Sequence, residues 1–444
     1  MGDQCTLRLI RELRQVERSD QLAFTVRYDE SNLRDIQAII LGPPGTPYEL
    51  GFFEFSIKVP SDYPANPPTV KIKTTNKGRT RFGPNLYASG KVCLSILGTW
   101  HGDRGEQWSP AQGLESVLLS IQSLLSPNPY TLEPGFENPE RSNDTENMET
   151  YKSKIRHESL RLAVIAPLER AFENSSHPER EQLGFIPKSE DDTESDANGM
   201  IRAPAYTKFD EFYKRRLLWY LEHYQIAVEK GINDEGRRLG DPFISMPFEG
   251  AGNIMSGEWN YLNLKARLSK LRDKVLEETH QWPTEGMALV KADAGIAVKL
   301  AGQHEQIAAE MKDHPQVVDV SLVDKNPFLW QLTYVGRTES KLEGGIVKIK
   351  IYISPRHPEE QPRVFVESPI YHIRVSKLGV LMYLPSHDED IRHHIDGIVS
   401  SLDDDNPPFN PLMTVHPEAT ALCWGSELER RLYRRKLRSS LEEM

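Results

Sequence analysis

Two stretches of this 444-residue sequence repeat one arrangement of glutamine and proline. The intervals are the same in both copies, which are formed by Gln37, Pro64 and Pro68, and by Gln331, Pro358 and Pro362. The runs 36–42 and 330–336 also match, since each holds its glutamine in a largely apolar stretch that ends in glycine. Self-similarity of this kind indicates a duplicated structural unit. The sequence therefore predicts two related cores in one chain.

The first copy is a series of short strand-like runs. They are rich in β-branched and aromatic residues, and they cover residues 23–28, 36–41, 52–59 and 70–73. Glycine- and proline-rich turns separate them, which predicts a meander of four antiparallel strands. Prolines between the third and fourth runs cannot donate ladder hydrogen bonds, so residues 60–68 are predicted to form a surface loop.

Helical segments accompany these strands. Residues 6–17 have apolar side chains at helical spacing with arginines between them, which predicts an amphipathic helix with a basic face. Ser109 and Pro110 are suited to the N-cap and first helical position of an apolar helix that extends to Leu125. A helix pair over residues 151–172 would complete an α+β domain.

The composition limits the kind of protein. Three cysteines occur, far apart and without a CxxC pair, which argues against a disulfide framework or a zinc site and fits a reducing compartment. A net charge of -11 spread over the chain argues against nucleic acid as the main partner. The sequence shows no secretion signal and no apolar run of about eighteen residues, so a cytoplasmic or nuclear protein without membrane association is expected.

The surroundings of Cys93 look suited to presenting a thiol, and they carry a family resemblance. In order, the chain has a Tyr-Pro-x-x-Pro-Pro loop, Pro-Asn, Gly-x-Val-Cys-Leu-x-Ile-Leu, Trp-Ser-Pro-Ala and Asn-Pro. This ordered set across residues 1–172 resembles the ubiquitin-conjugating (E2) family, although each motif alone would be weak. The resemblance implies the UBC fold, an antiparallel four-stranded meander with flanking helices. Four runs are most similar to the class charged by the alternative, second ubiquitin-activating enzyme (E1): Cys93–Trp100, Asn128–Tyr130, Glu133–Phe136 and Ile155–Glu158.

The resemblance implies an acyl-transfer site. Cys93 would accept ubiquitin, or a ubiquitin-like protein, from the E1 as a thioester and pass it to a substrate lysine or to an E3 ligase. Asn85 stands where the family places an asparagine that organises the oxyanion site, and bracing of the loop is an equal alternative. Tyr130 and Thr131 are interpreted as residues that gate or shape the site. No metal or organic cofactor is implied, because the E1 consumes the ATP.

The site departs from the family pattern at two positions. Gly83 replaces the usual histidine of His-Pro-Asn, so the structural bonds of that histidine are absent. Thr131 occupies the place of an aspartate that helps to deprotonate the incoming lysine in many relatives. A hydroxyl group is not a base at neutral pH, so deprotonation would depend on desolvation, on Glu133 or on the substrate.

Partner surfaces are carried over only where residues match. The basic helix with Arg8, Arg11 and Arg14 corresponds to the E1-binding surface, and plain solvation of a charged face is the alternative. Ala65 replaces an anchoring phenylalanine, which would weaken standard E3 contacts. The polar insertion 101–107 either shapes access to Cys93 or is a passive loop. The E3-contact residues lie in two loops: Pro64, Ala65, Ser109, Pro110 and Ala111.

The second copy resembles an inactive E2 variant. Its register places Arg374 opposite Asn85 and Met382 opposite Cys93, with both pairs eight residues apart. A thioether cannot form an acyl thioester, so this degenerate site is predicted to hold acceptor ubiquitin, bind an E3 or cover a face of the first domain. The copy is predicted to have a first helix over 298–311, strands over 346–353 and 364–367, and closing helices after residue 411.

The sequence thus predicts four regions. They are a catalytic UBC domain over 1–172, an acidic flexible linker over 173–205, a helical connector over 206–285 and a pseudo-E2 UBC-like domain over 286–444. The connector is predicted to contain helices over 209–229 and 262–279. Two functions remain open: an E2 enzyme that works with an E1, an E3 and protein substrates, or a non-catalytic ubiquitin-pathway scaffold built from two E2-like modules.

Overall fold

The chain folds into two units, each with its own sheet. A computed structural model describes residues 4–18, 22–102, 105–175, 209–250, 252–290, 294–367 and 370–442. The first unit comprises Met1–Asp210 and Val228–Arg267, and the second comprises Glu211–Ala227 and Leu268–Met444. Each contains a four-stranded antiparallel sheet, in agreement with the predicted duplication. None of the helices that the structure describes has the length and apolar content of a membrane-spanning segment.

The first sheet is a meander in the order β1-β2-β3-β4. Its strands are Phe24–Asp29, Asn32–Leu41, Phe52–Lys58 and Thr69–Ile72. Side chains alternate between the faces of a strand, so directly opposite residues share a face. One such row is buried from edge to edge, and it consists of Val26, Ala38, Phe55 and Ile72. The four predicted strands are confirmed.

Four helices flank this sheet. They are α1 at Gln4–Arg18, α2 at Leu114–Ser123, α3 at Asp144–Glu158 and α4 at Ala166–Ser175, with a π-helical stretch at Ser159–Ile165 between the last two. Helix α1 buries Leu9, Leu13 and Val16, and α2 buries Val117, Leu118 and Ile121. Full burial of an aliphatic side chain contributes about 1.5–3 kcal/mol to stability. These apolar faces hold the helices on the sheet.

The predicted start of the central helix was wrong. Helix α2 begins at Leu114, with Gly113 as its N-cap. Ser109 instead belongs to a turn in which the amide of Gln112 donates to its carbonyl at 3.0 Å, and its own amide donates to Oε1 of Gln112 at 2.8 Å. A serine before a proline favours turns as well as helix N-termini, and here the local turn satisfies its backbone groups.

The region predicted as a helical connector, residues 206–285, is divided between the two units. Its helices are α5 at Asp210–Glu235 and α6 at Tyr261–Leu289. Between them, residues 239–250 and 252–260 form an irregular segment of the first unit, in which Met246, Met255 and Trp259 are buried. The predicted linker 173–205 lies outside the described residues, apart from 173–175 at the end of α4.

The second sheet repeats the first. Its strands β5–β8 are Val317–Leu322, Leu329–Val335, Ile346–Tyr352 and Arg363–Val366, in the order β5-β6-β7-β8. A row of directly opposite residues is again buried across all four strands: Val320, Leu332, Ile349 and Val366. The strands predicted for this copy are confirmed.

Helices also flank the second sheet. They are α7 at Gly295–Met311, α8 at Ile391–Asp403, α9 at Pro417–Cys423 and α10 at Glu427–Glu442. The predicted first helix and the closing helices after residue 411 are confirmed, and α8 was not predicted. Asp390 caps α8, because its side chain accepts from the amide of Arg392 at 2.9 Å.

Candidate active site

The loop that carries Cys93 folds back on itself as a short hairpin. The amide of Cys93 donates to the carbonyl of Asn85 at 2.9 Å, and the amide of Tyr87 donates to the carbonyl of Lys91 at 3.0 Å. Gly90 closes the hairpin with a φ of 88°, where a Cβ would stand 3.0 Å from a carbonyl oxygen of β4. Only glycine adopts this conformation readily. The hairpin therefore fixes Asn85 directly opposite Cys93.

Asn85 and Cys93 are joined by a second hydrogen bond. The Nδ2 group of Asn85 donates to the carbonyl oxygen of Cys93 at 2.8 Å. This is the bracing arrangement that the sequence left as one alternative, and the oxyanion role stays a prediction. Cys93 itself is 1 % exposed, so its side chain is buried in the structure.

Tyr87 is a residue of the site that sequence reasoning missed. Burial raises the pKa of the Tyr87 hydroxyl, and the neighbouring Cys93 thiol acts in the same direction. The Lys91 ammonium lies 5.8 Å from the centroid of the same ring. A signal was available, because residues two apart along an extended strand share a face, and Tyr87 lies two residues after Asn85.

The chain beyond Cys93 is fixed by one hydroxyl group. Thr99 donates its Oγ1 proton to the carbonyl of Val92 at 2.7 Å, and the same oxygen accepts from the amide of Leu94 at 2.9 Å. The two contacts hold the backbone on both sides of the thiol. Residues 103 and 104 of the polar insertion lie outside the described residues, and the role of that insertion stays a prediction.

Tyr130 and Thr131 lie in the loop after the central helix, where one is hydrogen-bonded to the start of α3 and the other within the loop. Tyr130 is fully buried, and its hydroxyl donates to Asp144 at 2.7 Å. The Thr131 hydroxyl donates to the carbonyl of Asn128 at 3.1 Å. These contacts are typical of residues that shape a loop, and the gating role of both stays a prediction.

Glu133, which was considered as a base for the incoming lysine, is an internal residue. Its carboxylate forms a buried ion pair with Arg81. Burial raises the pKa of Glu133 to about 7, and the Arg81 guanidinium acts in the opposite direction. Because the carboxylate is bound to Arg81 inside the fold, this arrangement does not favour Glu133 as the acceptor of a lysine proton.

The predicted partner surfaces are connected to one another. Arg8 on α1 pairs with Glu12 at 2.7 Å and donates to the carbonyls of Pro110 and Gln112 at 2.7 and 2.6 Å. A further bond links the two predicted E3-contact loops, since Nε1 of Trp108 donates to the carbonyl of Pro64 at 2.8 Å.

Arg8 is therefore used within the fold, whereas Arg11 and Arg14 are exposed on the same helix. The E3-contact residues Ala65, Ser109, Pro110 and Ala111 lie in the two loops that the sequence assigned. The binding roles of all these residues stay predictions.

The second unit contains the same hairpin without the nucleophile. The amide of Met382 donates to the carbonyl of Arg374 at 2.8 Å, and the amide of Ser376 donates to the carbonyl of Val380 at 3.0 Å. Gly379 closes this hairpin with a φ of 80°. The predicted register is thus present in the backbone, with a fully buried thioether in place of the thiol.

Arg374 is committed to its own unit. Its guanidinium donates to Oγ of Ser401 at 3.2 Å and to Asp404 at 3.3 Å. Burial lowers the pKa of this guanidinium, while Asp404 acts in the opposite direction. The side chain therefore points into α8 and the residues after it, and it replaces the small amide of Asn85 with a fixed cation.

Among the described residues, one grouping of three carboxylates has the spacing of a metal site. It consists of Glu211, Glu278 and Glu360 in the second unit. The guanidinium of Arg363 donates to Glu211 and to Glu278 at 2.8 Å each. Glu360 pairs with Arg356 at 2.8 Å. Cations of the protein are thus paired with all three carboxylates, so the cluster is a structural ion-pair network.

Comparison with known proteins gives one family. A family model described as ubiquitin-conjugating enzyme matches residues 8–159 and 303–385. The chain is 37% identical over 277 residues to human ubiquitin-conjugating enzyme E2 Z, across 62% of this chain and 65% of that protein. It is 48% identical over 277 residues to the Danio rerio protein of the same name, across 62% of this chain and 70% of that protein.

A third relative is a much larger protein. The chain is 44% identical over 143 residues to the human dual E2 ubiquitin-conjugating enzyme/E3 ubiquitin-protein ligase BIRC6, across 32% of this chain and 3% of that protein. The match to the human E2 Z protein spans slightly less than two thirds of its length. The two matched segments of the family model together span more than half of the chain. The chain therefore belongs to the ubiquitin-conjugating enzyme family.

Proposed function

We propose that this chain is an E2 ubiquitin-conjugating enzyme that carries ubiquitin, or a ubiquitin-like protein, as a thioester on Cys93. The observation that supports this most is the pairing of Asn85 with Cys93 across a closed hairpin, by bonds of 2.9 and 2.8 Å. Family membership supports the same activity. The hairpin of the second unit has no thiol, so Cys93 is the acceptor that we assign.

The proposed reaction has two acyl transfers. In the first, the Cys93 sulfur attacks the thioester carbonyl on the E1, a new C–S bond forms, and the E1 sulfur leaves with the proton that Cys93 gives up. In the second, a lysine amine or an E3 thiol attacks the Cys93 thioester, a new C–N or C–S bond forms, and the C–S bond to Cys93 breaks. The proton that the nucleophile loses returns the Cys93 sulfur to the thiol. ATP is spent before these steps, so the chain itself needs no metal or organic cofactor.

Two side chains support the second transfer. Attack on the thioester places negative charge on the carbonyl oxygen, and a pre-set donor at that position stabilises the transition state. We assign this role to the side-chain amide of Asn85, which donates to the Cys93 carbonyl in the resting protein. We assign the second role to the Tyr87 hydroxyl, whose pKa is raised by burial and by the neighbouring thiol, as a donor to the sulfur that leaves with negative charge.

The lysine has no carboxylate base at the position of Thr131. Glu133 is paired with Arg81, so we propose that desolvation of the amine and the substrate itself supply the deprotonation. The second unit, with Met382 and Arg374 at the matching positions, is proposed to be a pseudo-E2 module that affects the choice of acceptor, E3 or substrate. The three free cysteines support a cytoplasmic or nuclear setting.

A second function is favoured by one observation. Cys93 is 1 % exposed. If no E1 reaches this thiol, the chain is a non-catalytic scaffold with two E2-like modules. A charging assay separates the two functions. The full-length chain is incubated with ATP, ubiquitin and each of the two ubiquitin E1 classes in turn, and the products are separated on a non-reducing gel.

If the chain is an E2 enzyme, we expect a ubiquitin adduct that thiol reagents remove and that Cys93→Ala abolishes. The class resemblance predicts charging by the alternative E1 in preference to the other. If no adduct forms with either ubiquitin E1 class, or with ubiquitin-like proteins and their own E1s, the proposed enzymatic function is wrong. The scaffold function would then remain. A reaction in which free lysine is then added reports whether the charged chain transfers to an amine.

A further inference from the structure

A segment far from Cys93 in sequence is built into the first unit. Residues 242–250 and 252–260, called here the bracing segment, follow the predicted linker and return to the unit that carries Cys93. One end is anchored at His157. The Nε2 atom of His157 accepts from the amide of Asn260 at 3.1 Å, which places the ring proton on Nδ1, where it donates to Glu158 at 3.0 Å.

Aromatic rings of the same region enclose His157. Ring centroids of Phe243, Trp259 and Tyr261 lie 5.5, 5.8 and 4.9 Å from the imidazole, all in edge contacts. His157 and Glu158 belong to the Ile155–Glu158 run, which the sequence singled out without a role. The structure shows that this run receives the end of the bracing segment.

The middle of the bracing segment is held by charge and aromatic contacts. Lys154 donates to Glu249 at 2.8 Å and to the carbonyl of Ile244 at 2.9 Å. Both side chains of this ion pair are fully buried. The Phe248 ring lies 5.3 Å from the Arg81 guanidinium and 5.4 Å from the ring of Tyr130. The segment therefore contacts the residue just before the hairpin as well as the loop after the central helix.

Asn253 and Ile254 of the bracing segment bind residues at the hairpin. The amide of Arg81 donates to the carbonyl of Ile254 at 3.1 Å. The amide of Ala88 donates to Oδ1 of Asn253 at 3.1 Å. Asn85 lies between Arg81 and Ala88, so neighbouring residues of the bracing segment hold the hairpin on both sides of Asn85. Ala88 is 1 % exposed, and a buried amide without this acceptor would lose a necessary hydrogen bond.

We propose that Asn253 is a positioning residue for acyl transfer at Cys93, because it holds the tip of the hairpin that sets Asn85 opposite the nucleophile. This inference rests on the proposed E2 function. The position of Asn85 relative to the acyl carbonyl decides how much its donor contributes, and small displacements reduce such contributions. Gly83 has no side chain that could hold this loop from within, so the support comes from outside the hairpin.

The test compares three full-length proteins: the wild type, Asn253→Ala and Asn253→Asp. Alanine removes the acceptor for the Ala88 amide, whereas aspartate keeps an oxygen in the same place and serves as the matched control. Asn253 is partly exposed, so the alanine variant is expected to fold, and a thermal melt verifies this. Each protein is charged by the E1, and single-turnover discharge is measured against the concentration of free lysine.

We expect Asn253→Ala to lower kcat for discharge by about three- to tenfold with an unchanged KM for lysine, which corresponds to one lost hydrogen bond. Asn253→Asp should stay within about twofold of the wild type. Hydrogen exchange gives an independent readout, since the Ala88 amide should exchange faster in the alanine variant alone.

A wild-type rate and unchanged exchange at Ala88 in Asn253→Ala would overturn the positioning role. Equal losses in both variants would also overturn it, because the aspartate keeps the acceptor. If the wild type accepts no acyl group from any E1, the proposed function fails instead. The exchange measurement would then still decide whether Asn253 holds the hairpin.

Discussion

The two hairpins of this molecule have one backbone and two sets of side chains. In the first unit the amide of Cys93 is 2.9 Å from the carbonyl of Asn85, and in the second the amide of Met382 is 2.8 Å from the carbonyl of Arg374. Both are closed by a glycine in the left-handed region. The backbone frame is therefore maintained by the fold, and the chemistry depends on the residues placed at two positions of that frame.

The two hairpins share a support from outside and differ in the side chain opposite the second position. Asn253 accepts from the amide of Ala88 in the first hairpin at 3.1 Å, and Glu222 accepts from the amide of Lys377, the matching residue of the second hairpin, at 2.6 Å. Asn85 donates to the backbone carbonyl of Cys93, whereas Arg374 donates to Ser401 and Asp404 outside its hairpin. Position 374 therefore lacks the amide donor that Asn85 provides in the first hairpin.

The strongest test moves the nucleophile between the two hairpins. Cys93→Ala should abolish the thiol-sensitive adduct completely, and Cys93→Ala combined with Met382→Cys should not restore it. The reason is that α7, the first helix of the second unit, contains no arginine, whereas the predicted E1-binding surface on α1 depends on a basic face. The measurement is E1-dependent charging followed by a non-reducing gel. An adduct on residue 382 would show that the second hairpin is competent and that the comparison fails.

The next test separates bracing from catalysis at Asn85. Asn85→Ala should still accept ubiquitin from the E1, and its discharge onto lysine should slow by about a hundredfold, which is the usual cost of removing one oxyanion donor. Single-turnover charging and discharge measure the two steps separately. An equal loss in charging and discharge would indicate that Asn85 only braces the Cys93 backbone.

A core substitution in the second hairpin should affect stability without affecting charging. Met382→Ala removes a fully buried side chain, which is expected to cost about 2–5 kcal/mol of unfolding free energy. Calorimetry measures the loss, and the charging assay is the control. If charging by the E1 fell in parallel, the second unit would have a direct part in the first acyl transfer.

The two units should also differ in their response to acid. Burial lowers the pKa of His372 and of His394 from the ordinary value of 6.5 to about 3. Both belong to the second unit, and Nδ1 of His394 accepts from the Tyr383 hydroxyl at 2.9 Å. The unfolded chain takes up protons near pH 6.5 and the folded unit does not. The stabilising contribution of the two neutral histidines is therefore present above pH 6.5 and falls as the pH drops toward 3.

At pH 5 this loss amounts to about 2 kcal/mol for each histidine relative to pH 7. Calorimetry of the full chain at the two pH values should show a transition of the second unit that moves to lower temperature. His394→Gln keeps a polar side chain that does not titrate, and it should make that movement smaller. A movement of the same size in the variant would contradict the assignment to His394.

Much of the fold could be predicted from sequence because strand periodicity and proline spacing are local. The four strands around Gln37, the copy around Gln331 and the pairing of Met382 with Arg374 all follow from intervals along the chain. The start of the central helix could not, because Ser109 and Pro110 suit a turn and an N-cap equally well. No pattern in the sequence indicates that Glu133 forms a buried ion pair with Arg81.

The contribution of the bracing segment was beyond sequence reasoning for a different reason. Phe248 and Asn253 lie more than 150 residues after Cys93, in a stretch without strong strand or helix periodicity. Their contacts with Arg81 and Ala88 are tertiary, and nothing local encodes them. Tyr87 is an intermediate case, because its place on the face of Asn85 follows from strand alternation once the hairpin is assumed.

The divided first unit has a consequence for synthesis. The chain passes through Glu211–Ala227 of the second unit before Val228–Arg267 complete the first. A nascent chain that has reached only the predicted linker already contains Cys93, but it lacks Asn253, Phe248 and the rings that surround His157. Domains generally fold as whole units while they leave the ribosome. The acceptor thiol is therefore expected to mature late, and products of premature termination should carry an incompletely ordered site.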